Sequence, residues 1–130
     1  MKLTAAAAQF ESRIADLDAN FAEHHRWVEA ARGADLLVFP ELSMVGHYGA
    51  EHLLDVTMRS HDPRLLELSR VADDMALIVG FVEEGPGARF YNAAGVYHRG
   101  RLVYIHRKVN LPSYGKLIET KYYAQGRFVD

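Results

Sequence analysis

The sequence predicts an α/β domain built on a mixed β-sheet. Two continuous apolar runs, at 36–39 and 76–83, are typical of strands that are buried on both faces. A stretch with helical periodicity precedes each run, and strands separated by helices favour a parallel arrangement. Two further strand patterns, at 90–98 and 101–107, are joined by the turn Arg99-Gly100 and predict an antiparallel hairpin. The sheet is therefore expected to be mixed, with helices packed over it.

The chain is predicted to open with a strand and a helix. Residues 2–10 contain four consecutive alanines, which favour a helix, but the segment is short and a clear helical pattern follows it, so a strand is predicted. The helix is expected to take Asp16 or Asp18 as its N-cap and to end at Gly33. Its apolar side chains fall on one face, at Leu17, Phe21, Val28 and Ala31.

The second helix is predicted from Asp62, an N-cap residue, and from Pro63 at the first helical position, and it runs toward Met75. The order of elements is then β, α, β, loop, α, β, β, β, followed by a polar and aromatic loop that contains Pro112 and Gly115. In sheets of this kind, functional side chains collect on the loops at the carboxyl ends of the strands.

Composition excludes several classes of function. The chain has 130 residues, 15 Lys and Arg against 17 Asp and Glu, and 49% apolar residues, which is typical of one ordinary globular domain. No block of basic residues is present, so neither nucleic acid nor a membrane surface is expected as a partner. The apolar runs are too short to span a bilayer and the N-terminus does not resemble a signal peptide, so a cytoplasmic location is expected. Because the chain has no cysteine, it carries no disulfide, no thiolate metal site and no cysteine nucleophile.

Two loops contain side chains suited to catalysis. Glu41 follows the apolar strand 36–39, so its carboxylate is expected at the mouth of the sheet, partly desolvated, where the pKa of a carboxyl tends to rise. Such a group suits a general base, although a glutamate in this position is more often an exposed or capping residue. Lys108 ends the strand 101–107 and could stabilise a developing oxyanion, although strand-end lysines are usually just solvated.

No metal site and no cofactor site is expected. The adjacent His24 and His25 point about 100° apart on a helix, and His98 and His106, at the ends of the hairpin, have no obvious third ligand. The segment Gly85-Pro86-Gly87 is interpreted as a turn, and no glycine-rich loop of the phosphate-binding type is present.

Two longer segments provide a more specific signal than any single residue. The first, at 33–46, is Gly-Ala-Asp-Leu-Leu-Val-Phe-Pro-Glu-Leu-Ser-Met-Val-Gly, and the second, at 106–115, is His-Arg-Lys-Val-Asn-Leu-Pro-Ser-Tyr-Gly. In this order and at this separation, they resemble the nitrilase superfamily of carbon-nitrogen hydrolases. Supporting matches cover almost the whole chain, at Ala8-Gln9-Phe10, Asn20, Gly80-Phe81, Tyr91-Asn92-Ala93, the acidic and aromatic run from Glu119 to Tyr123, and Gly126.

The resemblance implies a triad of Glu, Lys and Cys. Carried over to this sequence, Glu41 is the general base, Lys108 stabilises the oxyanion, and Glu119 is the second glutamate that many members keep beside the triad. Glu41 and Glu119 are expected to titrate as a unit, with Lys108 holding at least one of them ionised. Tyr114, together with two neighbouring tyrosines, is a candidate substrate-binding residue, or it packs against another part of the protein.

The sequence departs from the family in one large respect. The family's nucleophilic cysteine ends a strand beyond the acidic and aromatic loop, and 126–130 resembles only the approach to that strand. Members are about twice as long and form a four-layer α-β-β-α sandwich. Residues 1–130 are therefore interpreted as a single partial domain, the N-terminal half of that sandwich, with a mixed sheet and helices on one face. Alone, this half is expected to be inactive, and its uncovered sheet is expected to drive self-association.

Three functions are compatible with these observations. The leading interpretation is part of an amidase-like or nitrilase-like hydrolase that acts on a small non-peptide carbon-nitrogen bond. The second is the glutaminase module of a glutamine-dependent synthetase such as NAD synthetase, which a distal ATP-binding domain would distinguish. The third is a non-catalytic interaction fragment. The expected partners are a small amide or nitrile substrate, and either further copies of the chain or the missing C-terminal half.

Overall fold

A computed structural model describes residues 1–115 and 117–128. Its helices and strands follow the predicted order, with a few short additions. The elements are β1 Ala5–Ala7, α1 Leu17–Ala30, β2 Leu36–Val38, a 3-10 turn at Gly49–His52, α2 Leu53–Val56, α3 Pro63–Ala72, β3 Ala76–Gly85, β4 Arg89–His98, β5 Arg101–Arg107, β6 Ser113–Tyr114, β7 Leu117–Ile118 and a 3-10 turn at Glu119–Lys121.

The main sheet is mixed, as predicted. Its strand order is β1-β2-β3-β4-β5, in which β1, β2 and β3 are parallel and β4 and β5 are antiparallel to their neighbours. Leu37, Leu77 and Tyr97 lie opposite one another across three strands and are fully buried. Both α1 and α3 cover this face and contact each other, so the helices lie on one face of the sheet.

The other face of the sheet is uncovered in the part of the chain that the structure describes. Val38, Ile78, Val96 and Tyr104 form a row across β2, β3, β4 and β5. The first three are only partly buried, and Tyr104 is 39% exposed. We call this row the open face. An apolar row of this kind is consistent with half of a layered sandwich.

Several boundaries differ from those predicted. β1 ends at Ala7, whereas a strand over 2–10 was expected, because the residues after Ala8 leave the edge of the sheet and Phe10 turns toward the helices. β2 ends at Val38, whereas the predicted strand includes Phe39. The helix α3 ends at Ala72 and does not reach Met75, because Asp73 adopts a left-handed conformation with φ of 56°.

The caps and the hairpin agree more closely with the sequence. Asp16 is the N-cap of α1, and its side chain accepts a hydrogen bond from the Ala19 backbone N–H at 3.0 Å. Asp62 caps α3 in the same way, with Pro63 at the first helical position. β5 covers Arg101–Arg107, as predicted. The helix α2, the two 3-10 turns and the β6–β7 pair were not predicted, since each is too short to show a periodicity.

Among the described residues, no helix is both long enough and apolar enough to cross a bilayer. The predicted approach to a further strand, at 126–130, is described only as far as Phe128, and residues 129 and 130 lie outside the described part of the chain.

Candidate active site

The three residues that the family resemblance singles out lie together at one end of the sheet. Lys108 Nζ donates hydrogen bonds to Glu41 Oε1 at 2.7 Å and to Glu119 Oε1 at 3.3 Å. Glu119 Oε2 is 3.1 Å from the same Nζ but lies outside hydrogen-bond geometry. One ammonium group therefore joins two carboxylates that are far apart in sequence.

Asn92 is a fourth member of the site, and its role was not predicted from the sequence. Its Nδ2 donates to Glu41 Oε1 at 2.7 Å and to Glu119 Oε1 at 3.5 Å, so Asn92 and Lys108 bridge the same two oxygen atoms. Asn92 is only 4% exposed and lies within β4. The signal was available in the sequence, because an amide flanked by apolar residues inside a strand must find hydrogen-bond partners when it is buried.

Glu41 is positioned by the turn that follows β2. Leu42 in this turn has a φ of 52°, the left-handed region that non-glycine residues rarely adopt. The turn lies directly on β3, where a Cβ added to Gly80 would fall 2.5 Å from the Leu42 nitrogen and 2.5 Å from the Pro40 oxygen. Met44 N–H donates to the Gly80 carbonyl at 3.0 Å. Glycine at position 80 is therefore needed for the turn to approach the strand so closely.

Lys108 is held through its backbone as well as its side chain. Its N–H donates to the Asn92 carbonyl at 2.9 Å, and its carbonyl accepts from Gly126 N–H at 2.9 Å. The preceding residue, Arg107, forms a bidentate ion pair with Glu83. Arg107 Nε donates to Glu83 Oε2 at 2.6 Å, and Arg107 Nη2 donates to Glu83 Oε1 at 2.8 Å. The Glu83 side chain is 3% exposed, so this pair fastens the end of β5 to β3 from the buried face.

Burial and hydrogen bonding act in opposite directions on the pKa of Glu41. Burial raises it, as the sequence argument expected, but hydrogen bonds from Lys108 and Asn92 outweigh burial, and the pKa is lowered below its ordinary value. The prediction of a raised pKa for Glu41 was therefore wrong, because the two donors come from residues remote in sequence. Burial lowers the pKa of Lys108, but the hydrogen bonds to Glu41 and Glu119 raise it above its ordinary value. At neutral pH the pair is a carboxylate and an ammonium.

Glu41 keeps one oxygen available. The hydrogen bonds described at this carboxylate both end on Oε1, and the side chain is 43% exposed. It lies between two open clefts of about 400 and 720 Å³. The smaller cleft is also lined by Ile78, Asn92, His106 and Lys108. Oε2 is therefore the oxygen that can take a proton from a group entering either cleft.

Glu119 and the tyrosines form the far side of the site. Glu119 is 7% exposed and begins a 3-10 turn, and Tyr123 beside it is 6% exposed, with its hydroxyl lacking a hydrogen-bond partner among the described residues. Burial and the nearby carboxylates raise the pKa of Tyr123, so the hydroxyl stays protonated. Tyr114 lies on β6 with 73% of its surface exposed, and the clefts at Glu41 and Glu119 are lined by other residues. Its contact with a substrate stays a prediction.

The histidines are dispersed. His98 contacts the Asp74 carbonyl at 3.1 Å near the hairpin turn, whereas His106 lines the cleft beside Lys108. Within the described ranges, no group of three or more potential metal ligands comes together.

Comparison with known proteins supports the family indicated by the motifs. The family model described as carbon-nitrogen hydrolase matches residues 4–129. The chain is 31% identical over 126 residues to the glutamine-dependent NAD(+) synthetase of Acinetobacter baylyi, covering 93% of this chain and 23% of that protein. It is 30% identical over 130 residues to the protein of the same name from Thermotoga maritima, and the match covers 96% of this chain and 22% of that protein. The chain thus spans about a quarter of the length of these relatives.

Solved structures agree with this similarity. The glutamine-dependent NAD+ synthetase from Acinetobacter baumannii, in complex with ADP, superimposes with a TM-score of 0.82 at 30% identity, covering 97% of this chain and 24% of that one. An N-terminal amidase with a bound Asn-Glu-Ala peptide gives a TM-score of 0.76 at 18% identity, and the match covers 95% of this chain and 31% of that one. This protein therefore shares the fold. With the motifs, the site geometry and the family model in agreement, the chain belongs to the carbon-nitrogen hydrolase family.

Proposed function

We propose that the chain is the N-terminal part of a glutaminase module, which hydrolyses the side-chain amide of glutamine within a longer, cytoplasmic, glutamine-dependent synthetase. The hydrolase chemistry rests on one observation, the bridge from Lys108 to both Glu41 and Glu119. The choice of glutamine is supported by the names of the relatives that are about 30% identical across nearly the whole chain. The amidase structures are less similar in sequence, so a stand-alone amidase or nitrilase is the second candidate.

In the proposed reaction, Glu41 is the general base. Its free Oε2 takes the proton from a cysteine thiol, and the thiolate adds to the amide carbon. The leaving nitrogen takes that proton from Glu41, and ammonia departs as the carbon-nitrogen bond breaks. Water then attacks the thioester while Glu41 accepts its proton. The carbon-sulfur bond breaks to release glutamate, and Glu41 returns that proton to the departing thiolate, which restores the thiol and the base. Since these 130 residues contain no cysteine, the thiol is supplied by polypeptide outside them.

Lys108 stabilises the charge on the substrate oxygen. An ammonium group has three N–H donors, and in the structure one points to Glu41 and one to Glu119, which leaves one for the oxyanion of the tetrahedral intermediate. Glu119 orients the ammonium without acting on the substrate itself. Asn92 also donates to Glu41 Oε1, so a second contact orients the base while the third N–H of Lys108 binds the oxyanion.

The proposal is tested on the intact protein, whose mass and peptide map are compared with the 14.7 kDa of these 130 residues. Ammonia release is measured with glutamine, a short aliphatic amide and an aliphatic nitrile as substrates, and glutamate release is measured with glutamine. We expect turnover of glutamine, and a loss of about 100-fold or more in kcat for Glu41→Gln and Lys108→Ala. Glu67→Gln, which changes an exposed glutamate on α3, is the matched control.

Each alternative has its own outcome. Turnover of the amide or nitrile without turnover of glutamine would replace the glutaminase with the amidase-like or nitrilase-like hydrolase. A protein of 14.7 kDa that turns over none of the three substrates would support the non-catalytic interaction fragment.

A further inference from the structure

A fully buried histidine contacts the turn that holds Glu41. His24 lies on α1, and its Nε2 is 2.9 Å from Ser43 Oγ, in the turn two residues beyond Glu41. Both His24 and Ser43 are 0% exposed. In the sequence, His24 is a candidate only for metal binding, which its position beside His25 on a helix disfavours. Its contact with the turn is a different role, and the proposed reaction does not account for it.

The hydrogen bonds of His24 determine its tautomer. Nδ1 is 2.6 Å from the Asn20 carbonyl, which can only accept, so Nδ1 bears the proton. Burial lowers the pKa of His24 to about 4, so the ring is neutral near pH 7 and Nε2 is a bare acceptor. The Ser43 hydroxyl must therefore donate to Nε2. Its other near neighbour, the Gly80 carbonyl, is farther away at 3.2 Å.

The same turn is fastened at further points on its buried side. Ser12 Oγ donates to the Ser43 carbonyl at 2.7 Å, and Asn20 Nδ2 donates to the Met44 carbonyl at 2.8 Å. These bonds hold the backbone of the turn. The contact from His24 reaches a buried side chain of the turn, next to Leu42, whose left-handed backbone is strained and needs support from its surroundings.

We propose that His24 is a positioning residue, which holds the turn through Ser43 so that the Glu41 carboxylate stays within hydrogen-bonding distance of Lys108. The inference deepens the proposed function, since it rests on that function for the catalytic importance of Glu41. The Glu41–Lys108 contact itself is a feature of the structure, so the effect of His24 on it is measurable without turnover.

The alternative role for His24 is packing. Its ring is stacked on Phe39 with centroids 4.2 Å apart and meets the edge of Phe10 at 5.4 Å. Packing alone requires a flat or bulky apolar group at position 24 and does not require an acceptor for Ser43. The two roles therefore predict different results for substitutions that keep or remove the acceptor.

The experiment follows the pKa of Glu41 by ¹³C NMR in the intact protein labelled at glutamate Cδ, with the resonance assigned by its loss in Glu41→Gln. In His24→Gln, the amide oxygen reaches close to the position of Nε2 and accepts from Ser43, whereas His24→Leu has no acceptor. Neither replacement titrates, so the comparison is free of the protonation of histidine itself. We expect the low pKa of Glu41 to persist in His24→Gln and to rise toward its ordinary value of about 4.3 in His24→Leu.

Two further variants keep the test decisive. Ser43→Ala removes one oxygen from the turn and is expected to raise the pKa of Glu41 as His24→Leu does, and it serves if His24→Leu does not fold. The double variant combines His24→Leu with Ser43→Ala, so the Ser43 hydroxyl that lost its acceptor is also removed. Part of the lost stability therefore returns, while the pKa of Glu41 stays raised. His25→Gln, next to His24 on α1 but only half-buried, is the matched control and leaves the pKa unchanged.

An unchanged pKa of Glu41 in folded His24→Leu or Ser43→Ala would overturn the proposal and leave His24 as a packing residue. The same pKa rise in His24→Gln as in His24→Leu would also overturn it, because the acceptor would then be irrelevant. If the NMR results are as expected but the intact protein hydrolyses no amide, the positioning role stands and the proposed function fails.

Discussion

The two ends of the sheet contain similar charged groups in different surroundings. At the carboxyl end of β2, Lys108 bridges Glu41 and Glu119, and the side chains of Lys108 and Glu119 are only 29% and 9% exposed. At the opposite end, Arg99 in the hairpin turn pairs with Asp74, with side chains 66% and 72% exposed. Water screens the second pair and competes for its hydrogen bonds. Burial, more than the presence of opposite charges, separates a candidate site from an ordinary surface contact.

The largest effect is expected where a buried charge loses its partner. Arg107 directly precedes Lys108, and Arg107→Ala leaves the Glu83 carboxylate buried and unpaired. This change should lower the free energy of unfolding by about 3 kcal/mol. Urea unfolding measures this change. Arg89→Ala, an exposed arginine at the start of β4, is the control, and a similar loss in both variants would contradict the role assigned to the buried pair.

The next effect is a pH dependence of stability caused by His24. Its pKa is about 4 in the folded protein against 6.5 for an ordinary histidine, so the unfolded chain binds a proton more readily than the folded one. Relative to neutral pH, the free energy of unfolding should fall as the pH drops below about 6.5, and the loss should reach about 3 kcal/mol near pH 4. Denaturant unfolding between pH 4 and 7 measures it, and His24→Gln should flatten this part of the profile.

Removing the buried amide of the site should have a somewhat smaller effect. Asn92→Ala takes a donor from both carboxylates and is expected to cost about 2 kcal/mol of stability while raising the pKa of Glu41. Thermal unfolding and ¹³C NMR measure the two quantities. Asn110→Ala, an exposed asparagine in the loop after Lys108, should change neither. An unaltered pKa for Glu41 in Asn92→Ala would contradict the part assigned to the Asn92 hydrogen bond in lowering it.

The open face connects the two ends of the sheet and is expected to control association. In the 130-residue chain, the partly exposed Val38, Ile78 and Val96 should drive self-association, and Val96→Glu should shift the sedimenting species toward the monomer. Leu54→Glu, at a position 79% exposed on α2, is the control and should leave the species unchanged. A wild-type chain that sediments as a monomer and binds no hydrophobic dye would contradict the prediction.

The smallest effect is expected at the hairpin turn. Arg99→Ala breaks an exposed ion pair and should change the free energy of unfolding by less than about 1 kcal/mol, with no change at Glu41. Added salt should reduce even this difference. A larger loss, measured by the same urea unfolding as for Arg107→Ala, would remove the contrast between the two ends.

Much of the molecule was predictable from local patterns. The order of the main elements, the caps Asp16 and Asp62 and the bounds of β5 follow from periodicity and capping chemistry, which depend on residues within one or two turns of each other. The short helix α2 and the β6–β7 pair were missed, because segments of two to four residues leave no periodic pattern.

By itself, then, the sequence determined the element order and the family, and it predicted Glu41, Lys108 and Glu119 as one set of residues, because those signals are local or motif-based. Only the tertiary structure decided that Asn92 bridges the two carboxylates, that the pKa of Glu41 falls although the group is partly buried, and that His24 reaches the turn beside Glu41. Each of these depends on side chains brought together from distant parts of the chain. Their distances and burial, which set the electrostatics, exist only once the sheet and helices have packed.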